Sequence, residues 1–340
     1  MDFSSDTCAP AHPAMIEAIA AANPGQAASY GSDELTRKVE RTLAERFECE
    51  VAIFPIISGT ASNALSVSLL CSSTGAILCH EDAHVVLDER GACEFYTGGA
   101  KLQLLPGHAG KVELSALQAA VDAHDPDFFH ATPVEALSLT NLTECGTLYS
   151  PAEIAERADL AKSIGLGVHL DGARLGNAVA SSDASLADLT WRSGVDVVSL
   201  GFTKLGAMGS DVVVLLGANT SRFEELRIRA KRAGHVPAKL RYVSAQADAM
   251  LQDDLWLKLA GQANQRAAEL AAAFAAAGIS LAYPADGNEV FPNLDEAQVA
   301  ALHAAGAKFY PWPGGAQRFV CSWTTSPEEV ARFAATLKAL

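Results

Sequence analysis

The chain contains no stretch approaching the ~20 consecutive apolar residues that a helix needs to cross a bilayer, so no membrane-spanning helix is expected. Its seven cysteines are an odd number, scattered from Cys8 to Cys321, and no two of them form a C-x-x-C pair. Neither a disulfide framework nor a zinc ribbon is indicated, and a reducing cytoplasm is the expected compartment. Basic residues are scarce: 25 Lys and Arg stand against 40 Asp and Glu, a formal net charge of −15. Nucleic acid or an anionic membrane surface would be repelled, although a few local cations could still hold a small anion. The amino terminus lacks a basic region and Glu17 interrupts the apolar stretch that begins at Met15, so no signal peptide is apparent. There is no internal repeat and no low-complexity linker. What is present is a 340-residue chain, 49% hydrophobic, long enough to bury a large core in one big domain with a smaller one beside it.

Residues 1–29 read as an irregular arm with one short helix, Pro13–Ala21, opened by a proline in its first turn. Asp33 or Ser32 caps an amphipathic helix that runs to about Phe47. From there to about residue 245, strand signals (Ala52–Pro55, Ala76–Cys79, Lys101–Leu105, Ala136–Thr140, Gly167–Leu170, Val195–Leu200, Val212–Leu216) alternate with helical ones (Ser115–Val121, Pro151–Ile164, Arg222–Ala233). Such alternation predicts an α/β fold with a mostly parallel sheet covered on both faces. The strand from Asp211 follows its predecessor too closely for a helical crossover and is expected to be antiparallel. Residues 246–340 have a different texture: an Ala-rich helix (Trp256–Ala277), short strand signals at Ile279–Tyr283, Glu289–Phe291, Lys308–Tyr310 and Arg318–Ser322, and a last helix from Pro327. They predict a smaller α+β domain.

Two segments carry the chemistry. Val168-His169-Leu170-Asp171-Gly172-Ala173-Arg174 and Val198-Ser199-Leu200-Gly201-Phe202-Thr203-Lys204 are apolar runs that each deliver one ionisable group beside small residues. Strands of α/β proteins end in this way where they present side chains to the crevice at their carboxyl ends. An unpaired buried ammonium costs several kcal/mol, so a lysine directly after an apolar strand calls for an explanation. Pyridoxal phosphate provides one: a lysine forms a Schiff base with the cofactor and an aspartate pairs with its pyridinium nitrogen. Read singly, Asp171 could equally make an ion pair with Arg174, or a metal pair with His169, which shares its side of the strand. Ser58-Gly59-Thr60, between a strand and a helix, offers backbone N–H groups and a hydroxyl at a helix N-terminus, a site for a phosphate; a plain N-cap is the simpler alternative. Arg318 opens the last strand signal and could capture a carboxylate, or could lie solvated on an edge strand.

His80-Glu81-Asp82-Ala83-His84 matches the H-E-x-x-H of zinc hydrolases, which need both histidines on one helical face with the glutamate as base. Here Ala76–Cys79 precedes the motif and Val85-Val86 follows it, a context that favours a strand entering a loop. His80 is then expected at the surface, and His84 is expected to stack on a cofactor ring. The zinc hydrolase, with His80, Glu81 and His84, stands as the distant alternative; a non-catalytic binding module of the same fold is another.

Together these motifs resemble the threonine aldolase branch of the β-eliminating lyases, within the fold-type I pyridoxal-phosphate enzymes. Ser4-Ser5-Asp6-Thr7, Tyr30-Gly31-Ser32-Asp33, Ser58-Gly59-Thr60 with Asn63, Ala83-His84-Val85, the D-G-A-R-x-x-N-A run from Asp171 to Ala178 and the strand ending at Lys204 carry the resemblance almost from end to end. It implies a cofactor bound covalently by Lys204, with Asp171 on the ring nitrogen, His84 over the ring, and Ser58, Gly59 and Thr60 on the phosphate. It further implies that Ser5, Arg174 and Arg318 hold the substrate carboxylate and that His130 lies near the substrate hydroxyl. Cleavage of L-threonine or L-allo-threonine to glycine and acetaldehyde is the implied reaction, with phenylserine cleavage or β-elimination as near alternatives. A homotetramer built from pairs of catalytic dimers is implied as well, with a neighbour's basic segment, around Lys231 to Arg241, completing the phosphate site. One departure stands out: many members carry E-N-T-H-N after the central strand, where this chain reads Thr140-Asn141-Leu142-Thr143-Glu144.

Overall fold

A computed structural model describes residues 1–339. Seven strands form its central sheet: β1 (Val51–Ile56), β2 (Ala76–His80), β3 (Lys101–Leu105), β6 (Val134–Thr140), β7 (Gly167–Gly172), β8 (Val197–Gly201) and β9 (Asp211–Leu216). Between them β4 (Gly107–His108) and β5 (Lys111–Val112) make a small separate hairpin. The order across the large sheet is β1-β9-β8-β7-β6-β2-β3. Only β9 runs against its neighbours, β1 and β8, as its short connection from β8 predicted.

The strands most deeply covered, β1, β8 and β9, are buried at every position and read as continuous apolar runs, the pattern of a sheet covered on both faces. The chain leaves β1 at one edge and returns as β2 near the other. The helix between them, Gly59–Leu70, therefore lies across the middle of the sheet. It is buried from Ala61 to Leu69 without a polar face, which is how a helix enclosed on all sides reads. Its N-terminus opens at the carboxyl ends of the parallel strands. Helices Glu34–Phe47, Pro151–Lys162 and Arg241–Leu251 cover the other face. The last of these runs without a break through the boundary expected near residue 245.

Beyond helix Leu255–Ala276, a three-stranded sheet places β12 (Gln317–Val320) between β10 (Glu289–Val290) and β11 (Tyr310–Pro311). A second core of Phe274, Phe309, Phe319 and Phe333 lies behind it. The expected strand at Ile279–Tyr283 is reduced to one bridge, Leu281 to Pro292; Pro284 and Pro292 lack the N–H groups that a longer ladder would use. The amino-terminal arm is fastened to this region. Phe3 is wholly buried in the second core, and its backbone bonds to Lys308 and Val320. Ser5 and Asp6 are thereby delivered to the mouth of the large sheet. Among the described residues no helix is long and apolar enough to cross a membrane.

Candidate active site

Two glycines let the chemistry-bearing ends of β7 and β8 come together. A Cβ on Gly172 would meet the Ser199 carbonyl oxygen at 2.9 Å, and one on Gly201 would meet the Ala173 oxygen at 2.7 Å. Contacts that close exclude any side chain, so both positions require glycine. With the strand ends packed so tightly, Asp171 and Lys204 line one cavity of about 300 Å³ together with Ser58, Gly59, Thr60, Asn63, His84 and Arg174. A contiguous cavity of about 320 Å³ adds Ser5, Glu289, Trp312 and Arg318.

Lys204 sits on a single helical turn, Thr203–Leu205, just past β8. No carboxylate comes within ion-pair distance of it among the described residues. Burial and the nearby Arg174 push its amine below the usual lysine range. Asp211 is spent on the backbone instead: its Oδ1 accepts the N–H groups of Phe202 at 3.0 Å and Thr203 at 3.1 Å, holding the turn that carries Lys204. Burial raises the Asp211 carboxyl above its ordinary value.

Asp171 is 3% exposed. Its Oδ1 accepts the Ala173 N–H at 2.9 Å, and its Oδ2 accepts Asn63 Nδ2 at 2.7 Å. Carboxylate oxygens carry two lone pairs each, so the group can still accept from a ligand N–H. The same Asn63 nitrogen donates to Glu89 Oε1 at 2.9 Å, and Glu89 Oε1 meets His84 Nδ1 at 2.8 Å. That bond to Glu89 raises the His84 imidazole above its ordinary value, while burial raises the Glu89 carboxyl.

The other wall is a lattice of ion pairs. Arg174 donates to both oxygens of Asp6, at 2.8 and 3.1 Å, and lies 3.4 Å from Glu289. Arg318 Nε donates to the second oxygen of Glu289 at 3.0 Å. Burial alone would raise the Asp6 carboxyl; Arg174 and Lys204 outweigh it and hold it at about 2. Arg318 belongs to β12, the central strand of its sheet, so the alternative of a solvated edge arginine is corrected. Its Nη donors have no hydrogen-bond partner among the described residues, and it lines the same cavity as Ser5, whose hydroxyl meets that of Thr7 at 2.8 Å.

The structure brings together every sequence candidate except His130. That residue is exposed in the turn before β6, its ring against those of Phe128 and Phe129. The site is at the carboxyl end of the same strand, roughly 20 Å away for seven extended residues, so His130 of this chain is not part of its own site. His80 is also corrected: it ends β2 with 4% exposure rather than facing solvent. Its Nδ1 accepts the Asp82 N–H at 3.0 Å, while His84 opens a separate helix and turns to Glu89. The two histidines share no helical face, so the zinc-hydrolase geometry is absent. Sequence reasoning missed Asp6, Glu89, Glu144, Asp211 and Glu289. Asp6 opens a short helical turn and the other four lie in loops or at strand starts, and the contacts that show what they do form only on folding.

The donor set fits a phosphorylated aromatic aldehyde. Ser62 Oγ and Asn63 Oδ1 are buried without partners in the cavity wall. Gly59 leaves open space, its nearest neighbour being Asp211 Oδ2 at 3.8 Å from an added Cβ. An amine without a partner faces that space.

A model of the beta-eliminating lyase family matches residues 2–297. The chain is 37% identical over 339 residues to the low specificity L-threonine aldolase of Pseudomonas aeruginosa, covering 99% of this chain and 96% of that protein. It is 34% identical over 341 residues to the low specificity L-threonine aldolase of Pseudomonas sp. strain NCIMB 10558, with 99% and 97% covered. Among solved structures, a threonine aldolase from Leishmania major superposes with a TM-score of 0.91 at 29% identity, covering 99% of this chain and 98% of that one. Serine palmitoyltransferase of Sphingomonas wittichii superposes with a TM-score of 0.75 at 18% identity over 100% of this chain and 86% of that one, a likeness of fold alone.

Proposed function

The chain belongs to the β-eliminating lyase family, and from that premise we propose that it is a pyridoxal-phosphate lyase. It cleaves L-threonine, L-allo-threonine and related β-hydroxy-α-amino acids to glycine and an aldehyde. The observation that carries this reading is a desolvated Lys204 without an ion partner, sharing one cavity with a fixed Asp171. When bound, the cofactor supplies a sink for the electron pair left on Cα as the Cα–Cβ bond breaks. Lys204, its ammonium disfavoured by burial, would bond the cofactor aldehyde. Asp171, oriented by Asn63 and the Ala173 N–H, would hold the ring nitrogen. The Ser58 hydroxyl and the helix N-terminus at Gly59 and Thr60 would hold the phosphate. His84, its Nδ1 fixed by Glu89, would pack on the ring with Nε2 left to take the β-hydroxyl proton directly or through a water. Arg318, Arg174 and Ser5 orient the substrate carboxylate, and Asp6 and Glu289 keep the two guanidinium groups in register.

The working form is a homotetramer of paired catalytic dimers, with a neighbour's basic segment between Lys231 and Arg241 completing the phosphate site. Exposed Ile57 and Met208 beside the cavity mouth support such a neighbour. All seven cysteines are free thiols, which supports a cytoplasmic location.

The test is aldehyde release from a panel of β-hydroxy amino acids that includes both threonine diastereomers. Acetaldehyde and glycine in equal amounts are expected from threonine. Absence of aldehyde from every member of the panel, with cofactor added, overturns the reading.

A further inference from the structure

One carboxylate that lines both cavities takes no part in the chemistry above. Glu144 reaches the site from the loop after β6. Its Oε1 accepts the His84 backbone N–H at 2.8 Å and the Thr140 hydroxyl at 3.0 Å. Its Oε2 is shut off from solvent and has no partner among the described residues. The helix that begins at His84 is only four residues long, with Ala83 at its N-cap and no side-chain cap of its own. So short a helix does not hold its shape unaided. His84 is therefore clamped twice, through its ring by Glu89 and through its backbone by Glu144. Both bonds to Glu144 fall on a single oxygen, so Oε2 can gain or lose a proton without breaking either.

We propose, resting on the lyase reading above, that Glu144 is a positioning residue for His84: one carboxyl oxygen caps the helix that carries the imidazole, and the other, buried without a partner, tunes the charge beside it. Burial supports a proton on that second oxygen, pushing the Glu144 carboxyl up to about 7, with Asp171 adding to the shift. The charged and titratable groups around Glu144 and the His84 ring are Asp171 at the end of β7, Arg174 just after it, Cys79 on β2, Cys145 and Tyr149 in the loop of Glu144, and Glu89 and Lys204 facing His84. Burial raises both cysteines to about 12 and Tyr149 well above its ordinary value. Those three stay neutral wherever the enzyme works, and Arg174 stays charged. His84 is left between two buried acids, Glu89 on its ring and Glu144 on its backbone N–H. An ionised Glu144 favours the imidazolium; a protonated one releases His84 toward the neutral form that can accept the substrate's hydroxyl proton. The three groups titrate together.

The experiment follows the His84 imidazole by NMR across pH in the cofactor-free full chain, for wild type, Glu144→Gln and Glu144→Ala. The wild-type ring should titrate in more than one step. Glu144→Gln should remove one of those steps and shift the rest to lower pH, because the neighbouring negative charge is gone while that of Glu89 remains. In the loaded enzyme, Glu144→Gln, which keeps a carbonyl for the His84 N–H, should remove one ionisation from the pH profile of kcat/KM and cost about fivefold or less in kcat. Glu144→Ala, which loses the cap as well, should cost about tenfold or more in kcat with KM little changed. A His84 titration identical in wild type and Glu144→Gln overturns the proposal, as do equal kcat and pH profiles in all three proteins. If Glu144→Ala does not fold, the Glu144→Gln comparison still decides. Wild-type protein that releases no aldehyde sinks the lyase reading instead, and the ring titration then decides alone whether Glu144 governs His84.

Discussion

The two walls of the cavity are built on different principles. The wall of Asp171 and Lys204 grows from adjacent strands of one sheet, and two glycines set its geometry by letting the backbones touch. The wall of Arg174 and Arg318 has no such frame. It joins the arm (Asp6), the segment after β7, and two strands of the small sheet through buried ion pairs. The first wall is organised by neighbours in sequence and sheet, the second by polar side chains as far apart in the chain as Asp6 and Asn288, whose amide donates to the Asp6 carboxylate at 3.1 Å. Damage to the first should therefore appear as lost chemistry, and damage to the second as lost stability and substrate affinity.

The sharpest way to break this contrast is Lys204→Ala, which should reduce turnover to background while leaving the denaturation midpoint unchanged or slightly raised, because an uncompensated buried amine is removed. Steady-state kinetics and urea unfolding check both halves. Asp171→Ala should lower kcat by two orders of magnitude or more, since each ~1.4 kcal/mol of lost stabilisation is tenfold in rate. A loss confined to KM would place Asp171 in the other wall. Asp6→Ala strands Arg174 in the interior and should cost about 3–5 kcal/mol of folding free energy, with a raised KM and a smaller change in kcat. Urea titration and a KM series read it.

The smallest effects separate the walls by pH. His169 is fully buried beneath Asp171, bonded to the hydroxyls of Ser138 at 2.9 Å and Ser199 at 3.0 Å. Burial lowers its imidazole from 6.5 to about 4. Folding keeps it neutral, so its contribution is complete above the unfolded value and is lost as pH falls from 6.5 toward 4. Glu144, raised by burial, has the opposite sign over much of that range, so the two offset each other in the wild type. The readout is thus a difference: the stability gap between wild type and His169→Asn should shrink by about 2 kcal/mol from pH 7 to pH 5. Asp6 is depressed, so its contribution is complete above about 3.8 and is lost as pH falls toward 2. The gap between wild type and Asp6→Asn should hold constant from pH 7 to 5 and close only below pH 4.

The same contrast explains what the sequence disclosed. Asp171 and Lys204 stand out because apolar strands announce their ends, and β9 was placed as antiparallel from its short connection alone. His80 misled because burial of its ring depends on the β4–β5 hairpin, whose Gly107 packs against the ring, and nothing local foretells that contact. His130 falls where the resemblance implies a second histidine, yet β6 separates it from its own chain's site. Asp6 stands in the Ser4-Ser5-Asp6-Thr7 motif and Glu289 opens a strand signal, but their roles are legible only once the arm is seen fastened to the small sheet. Glu144 lies in the stretch where the chain departs from the family it resembles, a signal present in the sequence but without a partner until the fold brings His84 to it.

The central claim is a covalent meeting of Lys204 with pyridoxal phosphate in the cavity that Asp171 lines. Borohydride reduction of the cofactor-loaded protein, followed by peptide mass mapping, tests it directly. The account predicts that the reduced cofactor is found on the peptide carrying Lys204 and on no other. Label on a different lysine, or no label at all, contradicts it.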